Sequence, residues 1–388
     1  MKLDLGAGPM SPPDYNPYGA RYGTPIYPLP FRDNSIEEVR CSHALEHFPA
    51  SEVPKVLAEW VRVLMPGGTL KIAVPDFQKI AQGYLNGVPI AAQQFVMGGQ
   101  KDENDFHHVI FDRELLTQLL MDAGLVLLED WKSELVDDAA SLAISLNIRG
   151  RKPGPKPTIR GVITRPRLGF NEFWDCVLLA LPKLGIEITS VGGAFWNQSL
   201  EQALDHAMED NPEYLLVMDY DSVFDSQHVQ TLQELARVYP HADAIAPLQS
   251  SRHGEIPLFG LSADMPGVKR DGDTILIDAS HFDGDLVAMP QAHFGLTLIK
   301  VDAIRALERP LFVGSPNAQG KWEEGRTDPD IYFWRQFAAA GKRLFLAPRV
   351  VIGHLELMVA WPGLDMKPVY QRASDWGKTR TTPVGIWE

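Results

Sequence analysis

Two rhythms of apolar residues alternate along this sequence. In the first, Val53, Val56, Leu57, Trp60, Val61 and Leu64 recur at the spacing of one helix face, and Met65-Pro66-Gly67-Gly68 stops the pattern. Residues 113–124 repeat it and close on Gly124, a residue type that accepts the left-handed turn at a helix end. In the second rhythm the apolar residues come in runs of strand length, at 36–41, 69–74, 159–164, 186–191, 214–218 and 244–246. From residue 158 onward, runs and helical stretches take turns. A helix covers 171–181, another is opened by the capping box Ser199-x-x-Gln202, and a third ends near Val238. Alternation at this spacing belongs to βαβ units and predicts an α/β fold with a mostly parallel sheet.

Between the two halves, Arg149-Gly150-Arg151-Lys152-Pro153-Gly154-Pro155-Lys156-Pro157 holds three prolines and two glycines in nine residues, the composition of a semi-rigid connector. Two domains are expected, at 1–152 and 158–388, with a linker at 153–157. A length of 388 residues with 45% hydrophobic content suits that division. The net charge of -14 is spread over both halves, with 20 acidic against 15 basic residues in 1–157 and 30 against 21 beyond. Neither half is basic, which argues against a nucleic-acid partner held through its backbone. Cys41 and Cys176 fall one in each half, too few for a disulfide framework or a cysteine metal cluster, and they fit a reducing compartment. Met1-Lys2-Leu3-Asp4 opens no signal-peptide core, and no run approaches the roughly 18 apolar residues of a membrane span. A cytoplasmic protein without a span is expected.

Candidate chemistry in the first half begins at Leu3-Asp4-Leu5-Gly6-Ala7-Gly8, a very short strand entering a glycine turn of the kind that cradles nucleotides. Then follow Leu29-Pro30-Phe31, Ser42-His43-Ala44-Leu45-Glu46-His47 and Leu64-Met65-Pro66-Gly67-Gly68-Thr69-Leu70-Lys71-Ile72. This order of motifs resembles class I S-adenosylmethionine-dependent methyltransferases over roughly the first 130 residues. The resemblance implies a Rossmann-like fold and gives Asp4, Gly6 and Gly8 to S-adenosylmethionine. The family's helix, second strand and ribose-holding acid have no room, since only 20 proline-rich residues separate Gly8 from Leu29. The domain is therefore read as reduced, keeping the scaffold and losing the cofactor; the alternative is a reduced domain that still binds it. His43 and His47 stand at i, i+4 but lack the glutamate that follows the first histidine of a metalloprotease signature, and no metal is expected among His43, His47, His107 and His108.

In the second half, Tyr214-Leu215-Leu216-Val217-Met218 ends abruptly on Asp219-Tyr220-Asp221. A run with no polar alternation reads as a strand covered on both faces, so the two carboxylates sit at its carboxyl end, where open α/β sheets bind ligands. Spacing alone does not choose this pair, because Asp271/Asp273, Asp283/Asp285 and Asp328/Asp330 share it; only 219/221 terminates an apolar strand. The arrangement resembles the Asp-x-Asp motif of GT-A fold glycosyltransferases, family 2-like. The resemblance implies Mn²⁺, or Mg²⁺, on Asp219, Asp221 and a late histidine, His354, which ends the run Val350-Val351-Ile352-Gly353. It also implies a UDP- or GDP-sugar donor held by Thr164, Arg165, Arg167, Asp219, Tyr220 and Asp221, and a glycan or other hydroxyl acceptor. The acceptor's proton would go to Asp330, or to Asp328, at the start of a helix that Pro329 introduces. The polar and aromatic tail, 366–388, is read as a lid.

The expected function is a metal-dependent glycosyltransferase carrying a reduced methyltransferase-like domain. Its alternatives are a bifunctional methyltransferase/glycosyltransferase and a non-catalytic module that binds a glycan or nucleotide.

Overall fold

The computed structural model describes every residue except 9–10, 89–90, 103–104, 136–137, 167, 251–267, 272–273, 278–281, 324 and 387–388. The chain divides into two compact units, Met1–Lys156 with Arg237–Tyr239, and Pro157–Ala236 with Pro240–Glu388.

The first unit carries strands β1 (Lys2–Leu5), β2 (Asn16–Tyr18), β3 (Ile36–Ser42), β4 (Leu64–Pro75), β5 (Val126–Asp130) and β6 (Ser145–Arg151). They form one sheet in the order β2-β1-β3-β4-β6-β5, parallel through β4 and antiparallel beyond it. Helices α1 (Val53–Val63), α2 (Phe77–Leu85), α3 (Ala92–Met97) and α4 (Arg113–Asp122) accompany it. The apolar stripe of α1 is buried as its spacing requires, with Val56, Leu57 and Trp60 at 0% exposure. α4 starts where the Asp112 carboxylate accepts the Leu115 amide at 2.8 Å.

Two expectations for this unit change. The segment after Gly8 does contain a strand: β2 is only three residues long and lies parallel to β1, and no helix precedes it among the described residues. The segment is fastened to α1 through Trp60 Nε1, which donates to Ile26 O at 2.7 Å, and Glu59 Oε1, which accepts the Leu29 amide at 2.8 Å. These bonds do the anchoring that a packed helix would otherwise do. Arg149 to Arg151, read as the start of the connector, belong instead to β6, where β4 on one side and β5 on the other supply ladder partners. Local composition carries no information about those neighbours.

The second unit has β7 (Ile159–Arg165), α5 (Asn171–Ala180), β8 (Glu187–Gly192), α6 (Trp196–Met208), β9 (Tyr214–Met218), β10 (Ser222–Val223), α7 (Ser226–Val238) and β11 (Ala244–Gln249). These are followed by β12 (Val268–Asp271), β13 (Thr274–Ile277), β14 (Val287–Met289), β15 (Leu296–Lys300), α8 (Val301–Arg305), α9 (Pro329–Ala339), β16 (Leu344–His354), β17 (Met358–Pro362), β18 (Pro368–Arg372) and α10 (Ala373–Thr379). The main sheet runs β10-β16-β11-β15-β9-β7-β8, with β14 on β16. β9 is buried at all five positions.

The sheet is mixed, contrary to the mostly parallel expectation. β7 pairs in parallel with β8 and β9, but β15 lies antiparallel between β9 and β11. A βαβ rhythm reports the strands before β15 and says nothing of a later strand inserted between them. The capping box is also not formed: α6 begins at Trp196, and Ser199 is buried within it. Its hydroxyl lies where a Cβ on Gly193 would stand, 2.2 Å away, so close packing uses the serine that capping would have needed.

Candidate functional site

β9 delivers Asp219 and Asp221 to its carboxyl end. The Ser222 amide donates to Asp219 O at 3.2 Å, turning the chain tightly so that both carboxylates stay buried, Asp219 at 7% exposure and Asp221 at 1%. β10 then pairs with the last residues of β16, placing Ser222 opposite His354, and the Leu355 amide donates to Asp221 O at 2.7 Å. This register brings the His354 Nε2 within 3.3 Å of Asp221 Oδ2. Its Nδ1 bonds to Ser250 O at 3.0 Å, which fixes the ring's orientation. A second imidazole, His293, holds its Nε2 3.7 Å from Asp219 Oδ2, and the two histidine rings are 5.7 Å apart. The result is two carboxylate–imidazole pairs side by side.

His293 was not singled out in the sequence. Its signal is weak: the residue stands two positions before Gly295, whose carbonyl accepts the Asp219 amide at 3.4 Å. Only the antiparallel pairing of β15 with β9 brings the two together. Behind them Gln249, buried, donates from Nε2 to Ser222 Oγ and to Gly353 O, each at 3.2 Å.

A cavity of ≈ 580 Å³ opens at Asp221, lined among others by Phe170, Tyr220, Leu355, Glu356 and Ser374. That size is ordinary for a small-molecule site. Thr164 is buried at the carboxyl end of β7 and Arg165 is exposed beside it, while Arg167 lies outside the described residues. The tail contributes β18, which pairs with β17, and α10, and its Ala373 and Ser374 form part of the cavity wall.

Asp330 stands half-buried in the first turn of α9, its Oδ1 accepting the Ile331 amide at 2.9 Å. Burial raises its pKa, and the positive field of His293 opposes that rise. Asp328 points its carboxylate at Arg326, at 2.7 and 3.2 Å, and makes no cap bond to α9. Of the remaining Asp-x-Asp pairs, Asp285 is ion-paired with Arg349 at 2.7 Å, and Asp273 lies outside the described residues.

In the first unit, Asp4, Gly6 and Gly8 gather at the end of β1. Asp4 is directly opposite Arg40 in the β1–β3 ladder and bonds to it; Arg40 also pairs with Asp138. Burial raises the Asp4 pKa against the pull of Arg40. In the glycine turn Gly6 is closely packed and Gly8 is exposed. A Cβ on Gly6, at φ +71, would meet Ala44 Cβ at 2.5 Å, the Ala7 amide donates to Tyr18 O at 3.0 Å, and the Tyr22 hydroxyl donates to Gly8 O at 3.2 Å. Nearby, His47 and His107 come together with Glu46, with ligand atoms within 4.8 Å of one another, a grouping invisible in the spacing of the histidines.

Residues 21–72 match a family model described as a methyltransferase domain. The matched segment covers β3, α1 and most of β4, and begins beyond the glycine turn. No curated protein matches the chain. Among solved structures, A197 from STIV is 18% identical, covering 55% of this chain and 94% of that one, with a TM-score of 0.34. GalNAc-T7 with UDP, GalNAc and Mn²⁺ is 12% identical, covering 53% of this chain and 45% of that one, with a TM-score of 0.37. The Haloferax volcanii complex of the Trm112 activator with a methyltransferase is 18% identical, covering 33% of this chain and 59% of that one, with a TM-score of 0.22. The chain thus spans less than two thirds of the last two, and TM-scores below 0.5 assign no fold. No helix among the described residues is long and apolar enough to cross a membrane. The first unit, a mixed α/β sheet with its helices, therefore carries a segment matching a methyltransferase domain.

Proposed function

We propose that the second unit is a metal-dependent glycosyltransferase that moves a sugar from a nucleotide-diphosphate donor to a hydroxyl acceptor. The observation that carries this reading is the placement of Asp219 and Asp221, buried at a strand's carboxyl end, with His354 3.3 Å from Asp221 and a cavity of ≈ 580 Å³ opening there. Asp219, Asp221 and His354 would hold Mn²⁺ or Mg²⁺, and the ion would neutralise charge on the departing diphosphate. The chain's own groups do the rest. Phe170 and Tyr220 line a wall suited to a nucleobase, Thr164 and Arg165 stand at the neighbouring strand end, and Asp330 takes the acceptor's proton. Asp328, engaged with Arg326, is the weaker candidate for that proton.

The test is release of nucleoside diphosphate from a panel of UDP- and GDP-sugars with Mn²⁺, by wild type and by Asp221→Ala. Release that the variant loses supports transfer. A protein that binds donor yet releases nothing is a binding module, and the reading fails.

A second reading, a bifunctional chain that also methylates, is favoured by the match of 21–72 to a methyltransferase domain. Against it weighs the Asp4–Arg40 pair. Saturable binding of tritiated S-adenosylmethionine decides between them.

A further inference from the structure

Glu46 is wholly buried, at 0% exposure, and neither carboxylate oxygen has a hydrogen-bond partner. Its nearest basic neighbour is His43, with Nδ1 3.4 Å from Oε1, and the other nitrogen of that ring is bonded to Ser145 Oγ at 2.9 Å. A buried carboxyl group without hydrogen bonds is relieved either by keeping its proton, as the burial-raised pKa of Glu46 allows, or by a cation close by. Two imidazoles face it. His47 bonds through Nδ1 to Phe106 O at 3.1 Å and His107 through Nδ1 to Phe95 O at 3.0 Å, with ring centroids 4.8 Å apart. A ring that donates Nδ1–H to a main-chain carbonyl is the tautomer that presents a lone pair on Nε2, the usual outer support of a metal-bound histidine.

The backbone supports the same grouping. The His108 amide donates to Glu46 O at 2.8 Å, which stitches the loop bearing His107 to the turn bearing Glu46 and His47, and the His107 amide donates to Met97 O at 3.2 Å, which ties the same loop to the end of α3. His43, which leads into that turn, sits at φ +50, a left-handed conformation that a non-glycine residue holds only when its surroundings enforce it. Ligand atoms within 4.8 Å of one another need to draw in only to the roughly 3.4 Å separation set by metal–ligand bonds of about 2.1 Å in a tetrahedral site.

We propose that Glu46, His47 and His107 bind a zinc ion in the first unit, through one carboxylate oxygen and two Nε2 atoms, with a fourth position open to water. Two nitrogens and one oxygen form the donor set of a three-ligand zinc site, and the site is independent of the carboxylates at Asp219 and Asp221.

The test uses the full chain with zinc alone as the probe, measured by equilibrium dialysis and metal analysis, and Co²⁺ substitution as a spectroscopic report of coordination. One zinc equivalent is expected that survives in the Asp219→Asn/Asp221→Asn variant. Its dissociation constant should weaken at least about tenfold in His47→Ala/His107→Ala and in the isosteric Glu46→Gln. Circular dichroism checks that each variant folds, and Glu46→Gln, which keeps side-chain shape, isolates the charge. The intense visible absorption of four-coordinate Co²⁺ is expected in wild type and absent from the histidine variant. Equal zinc binding by wild type and a folded Glu46→Gln, or a Co²⁺ spectrum matching the hydrated ion, overturns the proposal.

Discussion

Asp221 has 1% of its surface exposed and His354 Nε2 3.3 Å away, so a neutral amide in its place keeps the shape and removes the charge. Asp221→Asn is expected to lower donor cleavage at least about a hundredfold with little change in fold, as a titration of rate against Mn²⁺ would show. Asp330 gives a pH prediction. It accepts a proton only as the carboxylate, and burial raises its pKa above the ordinary 3.8. Cleavage coupled to transfer should therefore rise with pH through a midpoint above that value, and Asp330→Asn should lose the limb along with roughly 10²- to 10⁴-fold of rate. A pH profile of kcat/KM for both proteins checks this. The carboxylates were legible in the sequence because an unbroken apolar run stopped on them, and His354 because a strand ended on it. His293 was not, since its approach to Asp219 depends on which strand lies beside β9. The ion pair of Asp4 was hidden for a related reason, because its partner Arg40 stands opposite it on a strand 36 positions away in sequence.

Strand β15 and helix α9 hold the site from behind. A Cβ on Gly295 would stand 2.3 Å from Gln249 Oε1 and 2.9 Å from Ser222 Oγ, both parts of the buried network under Asp219 and Asp221. Gly295→Ala should therefore cost about 1–3 kcal/mol in denaturant unfolding and depress donor cleavage further than that loss of folded protein explains. Trp334 stacks on Phe294 at 5.2 Å and donates from Nε1 to Ala292 O at 2.6 Å, fixing both neighbours of His293. Trp334→Phe keeps an aromatic ring and removes the donor, so a loss of about 1 kcal/mol is expected by the same unfolding measurement. Helices and strands of this unit could be read from their apolar rhythm. The mixed order of the sheet could not, because the rhythm is the same whichever edge a strand joins. The capping box failed for a packing reason, Ser199 being needed inside α6 against Gly193.

Across the whole molecule, a net charge of -14 and an acidic excess in each half leave little to attract a polyanion. The chain is expected not to retard duplex DNA at about 150 mM salt, and a gel-shift titration tests it. The methyltransferase-domain match begins beyond the glycine turn, and Asp4 beside that turn is engaged by Arg40. S-adenosylmethionine at millimolar concentration is accordingly expected to leave the melting temperature unchanged. A rise of several degrees would instead support the bifunctional reading, since a ligand that binds only the folded state must raise it.

The pairing of Ser222 with His354 has a consequence for biosynthesis. A ribosome releases Asp219 and Asp221 long before it makes the histidine that faces them, so every nascent chain passes through a stage in which the two acids lack this imidazole. Truncated products ending before β16 would share that defect, retaining the acidic pair yet lacking the imidazole that stands 3.3 Å from Asp221.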